Sequence, residues 1–192
     1  MRIEPVVLEG KVVRLEPLGD GHVAGLTDAA RHDEVWTYMD EPAPHVAGLV
    51  ADALDEQRRG ERLAFAIVER RTGLAIGSIS YIDIQPAHRG LEIGWAWVTP
   101  SRWRTGAARD AAFLLMRHAF DRLDAIRVVF KTDSRNVRSQ RAIEGLGATR
   151  EGVFRNHRIL RDGYVRHSVY YSVIREEWPN VRGVFEAGQQ AY

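Results

Sequence analysis

Hydrophobic and polar residues alternate along several short stretches of the chain, and a period of two is typical of β-strands. The clearest stretch, 91–98, predicts a strand with one apolar face and one nearly bare face that carries Glu92. Its bulky residues are Leu91, Ile93, Trp95 and Trp97, and its acidic or small residues are Glu92, Gly94 and Ala96. The same period predicts strands over residues 11–18, 62–70, 75–84, 127–132, 150–160 and 164–174.

Apolar residues spaced three and four positions apart predict amphipathic helices. They occur over residues 21–30, 46–59, 108–123 and 137–144, and a terminal helix over 175–190 is predicted to be interrupted at Pro179. Turn residues at Thr72-Gly73 and Asp162-Gly163 join neighbouring strands into hairpins. Antiparallel hairpins together with one strand-helix-strand unit predict an α/β (α+β) fold with a mixed sheet.

The length of 192 residues fits one domain, 1–192, which is large enough to bury a substantial core. The chain has no cysteine, which excludes disulfides, thiolate metal sites and a cysteine nucleophile. The histidines show none of the spacings of zinc motifs, so we expect no metal. We find no signal sequence and no apolar run long enough to span a bilayer, so we expect a soluble cytoplasmic protein without membrane contact.

Charge is distributed unevenly along the chain. The net charge of +1 gives no reason to expect nucleic-acid binding. Residues 1–101 carry 10 Lys and Arg against 16 Asp and Glu, whereas residues 102–166 carry 15 against 7. A basic block suits a polyanionic cofactor and an acidic half suits a cationic amine, unless the two sets of charges mix in the folded protein.

The segment between the strand 91–98 and the next helix is rich in arginine and small residues. Unpaired N–H groups at a helix start attract an anion that can approach them closely, and Arg104 and Arg109 would add charge-assisted hydrogen bonds. The other residues of this segment are Thr105, Gly106, Ala107 and Ala108. The segment predicts a pyrophosphate cradle, and the alternative is an ordinary helix start with arginines on its solvated face.

The order of these motifs resembles the GNAT acyltransferase superfamily, and more narrowly its RimJ/RimL-like branch, which acetylates protein N-terminal amines. The shared features are Glu-Ile-Gly-Trp at 92–95, a loop of the R/Q-x-x-G-x-G/A type, the helix, the segment 136–139, and Leu-Gly-Ala at 146–148. The chain departs from the pattern at Trp103, where the family has Arg or Gln, and at Ala108, where it has Gly. The resemblance covers roughly residues 8–178 and leaves a helical tail over 175–192. It implies a splayed sheet flanked by helices, and acetyl-CoA as donor.

The resemblance also implies roles for individual side chains. Asn136 matches an asparagine that bonds the pantetheine amide, and Ser139 matches a serine near the departing sulfur, as hydrogen-bond donor first and general acid second. Helix capping is the alternative for both. The region of Trp36 and Tyr38 shapes the acceptor pocket in the family, and we place Tyr81 beside the same groove. The alternative is that these aromatic residues cap the core.

Acyl transfer from a thioester to an amine needs an N–H directed at the oxygen that becomes negative. The backbone N–H groups of Trp97 and Val98 are our candidates, because a strand that splays away from its neighbour leaves such groups unpaired. A proton acceptor is also needed, and Glu92 is the first candidate, with Asp83 and His157 as lesser ones. A salt bridge is the alternative role for Glu92.

From the sequence we therefore expect an acyl-CoA-dependent N-acyltransferase. It would move an acetyl group from acetyl-CoA to a primary amine, first of all a protein or peptide N-terminal amine. Two alternatives stay open, which are a small-molecule amine or antibiotic acetyltransferase and a non-catalytic acyl-CoA-binding sensor. The expected partner is the amine acceptor, and a homodimer is also considered.

Overall fold

The computed structural model describes residues 1–39 and 45–190, and the side chains of 189 and 190 are not described. The described chain divides into two compact units. The N-terminal unit comprises residues 2–84 and 93–115, and the C-terminal unit comprises residue 1, residues 85–92 and the chain from 116 onward.

The N-terminal unit is built on antiparallel strands and two helices. Strand β1 (Leu8–Glu9) pairs with β2 (Val13–Pro17), β2 pairs with β3 (Leu63–Glu69), and β3 pairs with β4 (Ala75–Gln85). Helices α1 (Val23–Ala29) and α2 (Val46–Arg58) lie in the connection between β2 and β3. The β3–β4 turn contains Gly73 at φ 72°, a left-handed conformation that glycine adopts without steric cost.

Strand β5 (Gly90–Val98) and helix α3 (Ala107–Asp121) each contribute residues to both units. Short 3-10 turns, Pro86–His88 and Pro100–Arg102, precede and follow β5. Pro100 is the first residue of the second turn, where its missing N–H costs no ladder hydrogen bond.

The C-terminal unit contains the remaining elements. Strand β6 (Arg127–Asp133) is followed by α4 (Val137–Glu144), by the hairpin of β7 (Thr149–Ile159) and β8 (Val165–Ile174), and by α5 (Trp178–Gln190). Within the described ranges, hydrogen bonds join eight strands in the order β1-β2-β3-β4-β5-β6-β8-β7. The parallel β5–β6 ladder joins Gly90–Glu92 to residues 127–129, so the later residues of both strands lie beyond it. This mixed, open sheet flanked by helices is the fold class predicted from the sequence.

Each unit has aromatic side chains in its interior. In the N-terminal unit the rings of Trp36 and Trp97 lie 5.3 Å apart within a cluster of buried aliphatic residues. In the C-terminal unit Trp178 stacks on Phe120 at 5.1 Å, and its indole Nε1 donates to Asp121 at 2.7 Å. These contacts bury large rings while satisfying the indole N–H, as a stable core requires.

Most predicted elements are present, and three details differ. The strand β1 was not predicted, because a strand of two residues is too short to show a hydrophobic periodicity. The helix expected over 21–30 begins as a 3-10 turn at Asp20–His22 and becomes α-helical at Val23. Pro179 does not interrupt α5, because it is the second residue of that helix, where a missing backbone N–H breaks no intrahelical hydrogen bond.

None of the helices in the described residues combines the length and the hydropathy that a membrane span requires.

Candidate functional site

The loop before α3, which the sequence predicts to be an anion cradle, contains two residues with a left-handed backbone. They are Arg104 at φ 64° and Gly106 at φ 86°. The first helical residue is Ala107, because Asp110 donates its backbone N–H to the Gly106 carbonyl at 2.8 Å. Five residues of this region are exposed: Arg104, Thr105, Gly106, Ala108 and Arg109. The start of α3 is therefore open to an anion, and its binding of a diphosphate stays a prediction.

One side chain that the sequence did not single out, that of Asp110, ties the start of α3 to the turn between β1 and β2. The carboxylate of Asp110 is buried and accepts the backbone N–H groups of Val12 at 2.7 Å and Val13 at 3.0 Å. A Cβ at Gly10 would lie 2.4 Å from Asp110 Oδ2, so glycine allows this close approach. These partners are almost a hundred residues apart along the chain, and no local pattern signals them.

Trp103 replaces the family's Arg or Gln, and its indole anchors the loop. Nε1 donates to the backbone carbonyl of Val98 at 2.8 Å, at the end of β5. The loop therefore keeps a hydrogen-bonding residue at this position but not the positive charge. Arg104, the next residue, is exposed and supplies a charge at the same loop.

The strand β5 does not keep the strict alternation predicted for it. Trp95 has φ 49°, which interrupts the extended backbone, and Leu91, Glu92 and Ile93 are all buried. The Trp95 ring is half-buried beneath the Arg62 guanidinium, whose Cζ lies 5.1 Å from the ring centroid, whereas Trp97 lies in the core. The predicted single apolar face that includes both tryptophans is therefore wrong. The N–H groups of Trp97 and Val98 remain predicted contacts for the thioester.

Glu92 is not on a bare face. Its side chain is 3% exposed, and Oε2 lies 2.8 Å from Nζ of Lys131 on the adjacent strand β6. The salt bridge that the sequence left as the alternative is therefore present. Before the Glu92 carboxylate can accept a proton, its ion pair with Lys131 must break, and breaking that pair costs free energy. The role of Glu92 as the base therefore stays a prediction.

His157 is the other candidate base in the C-terminal unit, and its ring has two polar neighbours. Nδ1 lies 2.9 Å from the Ser168 hydroxyl, and Nε2 lies 3.4 Å from the Tyr170 hydroxyl. Burial lowers the pKa of His157, and the charges of Arg158 and Lys131 lower it further. The ring is therefore mostly neutral at pH 7 and able to accept a proton. Asp83, the remaining candidate, is exposed on β4.

Asn136 and Ser139 lie together at the start of α4. Asn136 Oδ1 accepts the backbone N–H of Ser139 at 3.0 Å, which is the helix cap considered as their alternative role. The cap uses the oxygen of Asn136 and the backbone of Ser139. It leaves the Asn136 amide NH₂ and the Ser139 hydroxyl for the predicted contacts with the pantetheine amide and the sulfur.

The three predicted acceptor residues have different environments. Trp36 is buried and donates through Nε1 to the Ala30 carbonyl at 2.9 Å. Tyr81 is 0% exposed, and its hydroxyl donates to the Leu115 carbonyl at 2.6 Å. Both side chains are buried, as expected for the alternative role in the core, and their contact with the acceptor stays a prediction. Tyr38 is half-buried and stays a predicted acceptor contact. Within the described ranges no cluster of His, Cys, Asp and Glu could hold a metal ion.

Comparison with known proteins assigns the family. The acetyltransferase (GNAT) domain family matches residues 13–149. A GCN5-related N-acetyltransferase from Brucella melitensis is 31% identical, over 96% of this chain and 86% of that one, with a TM-score of 0.88. The uncharacterized N-acetyltransferase YoaA of Bacillus subtilis (strain 168) is 28% identical, over 64% of this chain and 67% of that protein.

A more distant structure has the same fold. Mycobacterium smegmatis RimJ, solved in complex with CoA-disulfide, is 21% identical over 96% of this chain and 95% of that one, with a TM-score of 0.81. Since the family match covers well over half of the chain, the protein belongs to the GNAT acetyltransferase family and is an N-acetyltransferase that uses acetyl-CoA.

Proposed function

We propose that this enzyme acetylates the N-terminal α-amine of a protein or peptide. The observation that carries the proposal is the buried ion pair between Glu92 and Lys131. This ion pair occupies the carboxylate of the first candidate base, and carboxylates and imidazoles are both weak bases compared with an amine. An enzyme with a weak base is matched to an acceptor that gives up its proton easily.

The acid strength of the acceptor decides between amine classes. A lysine side-chain amine has a pKa of ~10.4 and costs about 4–5 kcal/mol to deprotonate at pH 7, whereas an α-amine at ~7.7–8.0 costs about 1 kcal/mol. The neutral imidazole of His157 is basic enough to take the proton of an α-amine but poorly matched to a lysine ammonium. The α-amine is therefore the better acceptor.

The proposed donor contacts come from three segments. The residues 104–109 would hold the diphosphate through backbone N–H groups and through the side chains of Arg104 and Arg109. Asn136 would bond the pantetheine amide, and the N–H groups of Trp97 and Val98 would bond the thioester oxygen. Ser139 would donate a hydrogen bond to the departing sulfur, which needs little acid catalysis because a thiol of pKa ~8.5 leaves easily.

The acceptor assignment has further, weaker support. The fold is shared with RimJ from Mycobacterium smegmatis, and the sequence resembles the RimJ/RimL-like branch. Tyr38 is the predicted aromatic contact for the acceptor chain.

The proposal also includes a cytoplasmic location and a homodimer. Light scattering would measure the oligomeric state.

Thiol release from acetyl-CoA tests the proposal with three acceptors. The first is a lysine-free peptide with a free N-terminus, the second is the same peptide N-acetylated with one lysine added, and the third is a small polyamine. We expect the first to release thiol fastest. Faster release with the polyamine would favour the small-molecule alternative. Binding of CoA without release for any acceptor would favour the sensor alternative.

A further inference from the structure

A basic cleft of about 380 Å³ lies in the N-terminal unit. We call it the Arg71 cleft. Its lining residues come from the β1–β2 turn, the end of β3 and the loop before α3, and are Lys11, Val12, Glu69, Arg70, Arg71, Arg102 and Thr105. Four of these side chains are basic and one is acidic, so the cleft carries an excess of positive charge.

The single carboxylate of the cleft is already neutralised. Glu69 is buried and accepts hydrogen bonds from Thr72 Oγ1 at 2.6 Å and from Arg102 Nε at 2.8 Å. These bonds, Thr72 first and then Arg102, hold the pKa of Glu69 below its usual value. Glu69 therefore stays ionised and compensates Arg102, and the other three basic side chains give the cleft its net positive charge.

The remaining cations differ in how they are held. Arg70 donates through Nη1 to the Gly10 carbonyl at 2.8 Å, and its Nε is 3.7 Å from the exposed carboxylate of Glu9. Arg71 is exposed and has no ion pair in the part of the chain that the structure describes. Its planar guanidinium has five donors in a fixed fork, a geometry that matches phosphate oxygens.

We propose that the Arg71 cleft binds a phosphate monoester, namely the 3′-phosphate of the CoA nucleotide. The proposal rests on the proposed function for this choice of ligand. Thr105 belongs both to the cleft and to the loop predicted to hold the diphosphate, so the two sites are adjacent in one unit. CoA carries a third phosphate apart from its diphosphate, and a monoester has nearly two negative charges at pH 7. The same chemistry would also accept free phosphate.

Binding of CoA and dephospho-CoA, which lacks the 3′-phosphate, tests the inference. Calorimetry on the wild type should show CoA binding about three- to tenfold more tightly than dephospho-CoA, as expected for partly screened contacts to arginine. Arg71→Gln should remove most of this preference and leave the affinity for dephospho-CoA unchanged. Lys11→Gln should reduce the preference as well. The control Arg122→Gln removes an exposed charge from outside the cleft and should keep it.

The outcomes separate the inference from the proposed function. If Arg71→Gln keeps the preference, or if Arg122→Gln loses it equally, the CoA assignment is wrong. Titration with inorganic phosphate then decides whether the cleft holds free phosphate, which Arg71→Gln would weaken, or no phosphate at all. If both CoA forms bind equally well to the wild type, the inference fails and the proposed function is untouched. If phosphate binds and is weakened by Arg71→Gln while neither CoA form binds the wild type, the cleft is a site for free phosphate, and both the CoA assignment and the proposed function fail.

Discussion

The indole Nε1 of Trp103 donates a 2.8 Å hydrogen bond to the carbonyl oxygen of Val98, which ties the loop before α3 to the end of β5. Both predicted groups of donor contacts, the loop N–H groups and the N–H groups of Trp97 and Val98, are thus joined by one side chain. The family has Arg or Gln at this position. Here a Trp occupies it, and the hydrogen bond of its indole orients the loop.

Replacement of Trp103 by Phe tests that role. The ring is kept and one hydrogen bond is lost, so the free energy of unfolding should fall by about 0.5–1.5 kcal/mol. A loosened loop should weaken CoA binding by about three- to tenfold, as measured by calorimetry. Unchanged CoA affinity in a destabilised variant would limit Trp103 to a structural role.

The close approach of β4 to β5 predicts a steric effect at Gly77. A Cβ there would lie 2.0 Å from the Trp97 carbonyl oxygen and 2.8 Å from Val98 Cα, both backbone atoms that move only with the strand. Gly77→Ala should therefore cost about 2–4 kcal/mol of stability and reduce acetyl transfer. Gly19→Ala is the control, because a Cβ at Gly19 meets nothing within 4 Å. Urea denaturation of both variants measures the difference, and equal stabilities would contradict the close approach.

The ion pair of Glu92 predicts a distinctive result for two variants. Glu92→Gln leaves the partly exposed Lys131 ammonium without its partner and should destabilise the protein by about 1.5–3 kcal/mol. The double variant Glu92→Gln with Lys131→Met should recover much of that loss, because no unpaired charge remains. If Glu92 is not the base, the pH–rate profile of the double variant keeps the shape of the wild-type profile. A shifted acidic limb would instead return the base role to Glu92.

The environment of His157 predicts how stability depends on pH. Burial, together with the charges of Arg158 and Lys131, holds the pKa of the folded state below the value of ~6.5 expected in the unfolded chain. The unfolded state then binds more protons, so this contribution is present above pH ~6.5 and is lost as the pH falls toward the folded pKa.

His118, whose pKa is also lowered by burial, adds to the same trend. Urea denaturation at pH 7.5 and 5.5 should show a smaller loss of stability for His157→Gln than for the wild type. NMR titration of the His157 ring gives the pKa directly. A value at or above 6.5 would show that the ring is not desolvated as described.

Local patterns were sufficient for much of the fold. Helix α4 is found at Val137–Glu144 as predicted, because its apolar spacing and the Asn136 cap are both local. The hairpin at Asp162-Gly163 also follows from local turn chemistry, with Gly163 at φ 82°. These elements depend on residues close in sequence, and so the sequence predicts them.

The site was less predictable because its contacts are distant in sequence. Asp110 bonds Val12 across 98 positions, and Glu92 bonds Lys131 across 39. The left-handed Trp95 interrupts an otherwise regular alternation, which places Trp95 and Trp97 in different environments. Tertiary packing determines these features, and neither the hydrophobic periodicity nor the composition of the sequence reveals them.

One peptide that carries both a free N-terminal amine and a lysine distinguishes the two classes of amine in a single experiment. The peptide is incubated with the enzyme and acetyl-CoA, and tandem mass spectrometry locates the acetyl group. We predict acetylation of the N-terminal nitrogen with the lysine unmodified. Acetylation of the lysine, or no acetyl transfer while acetyl-CoA is bound, would contradict it.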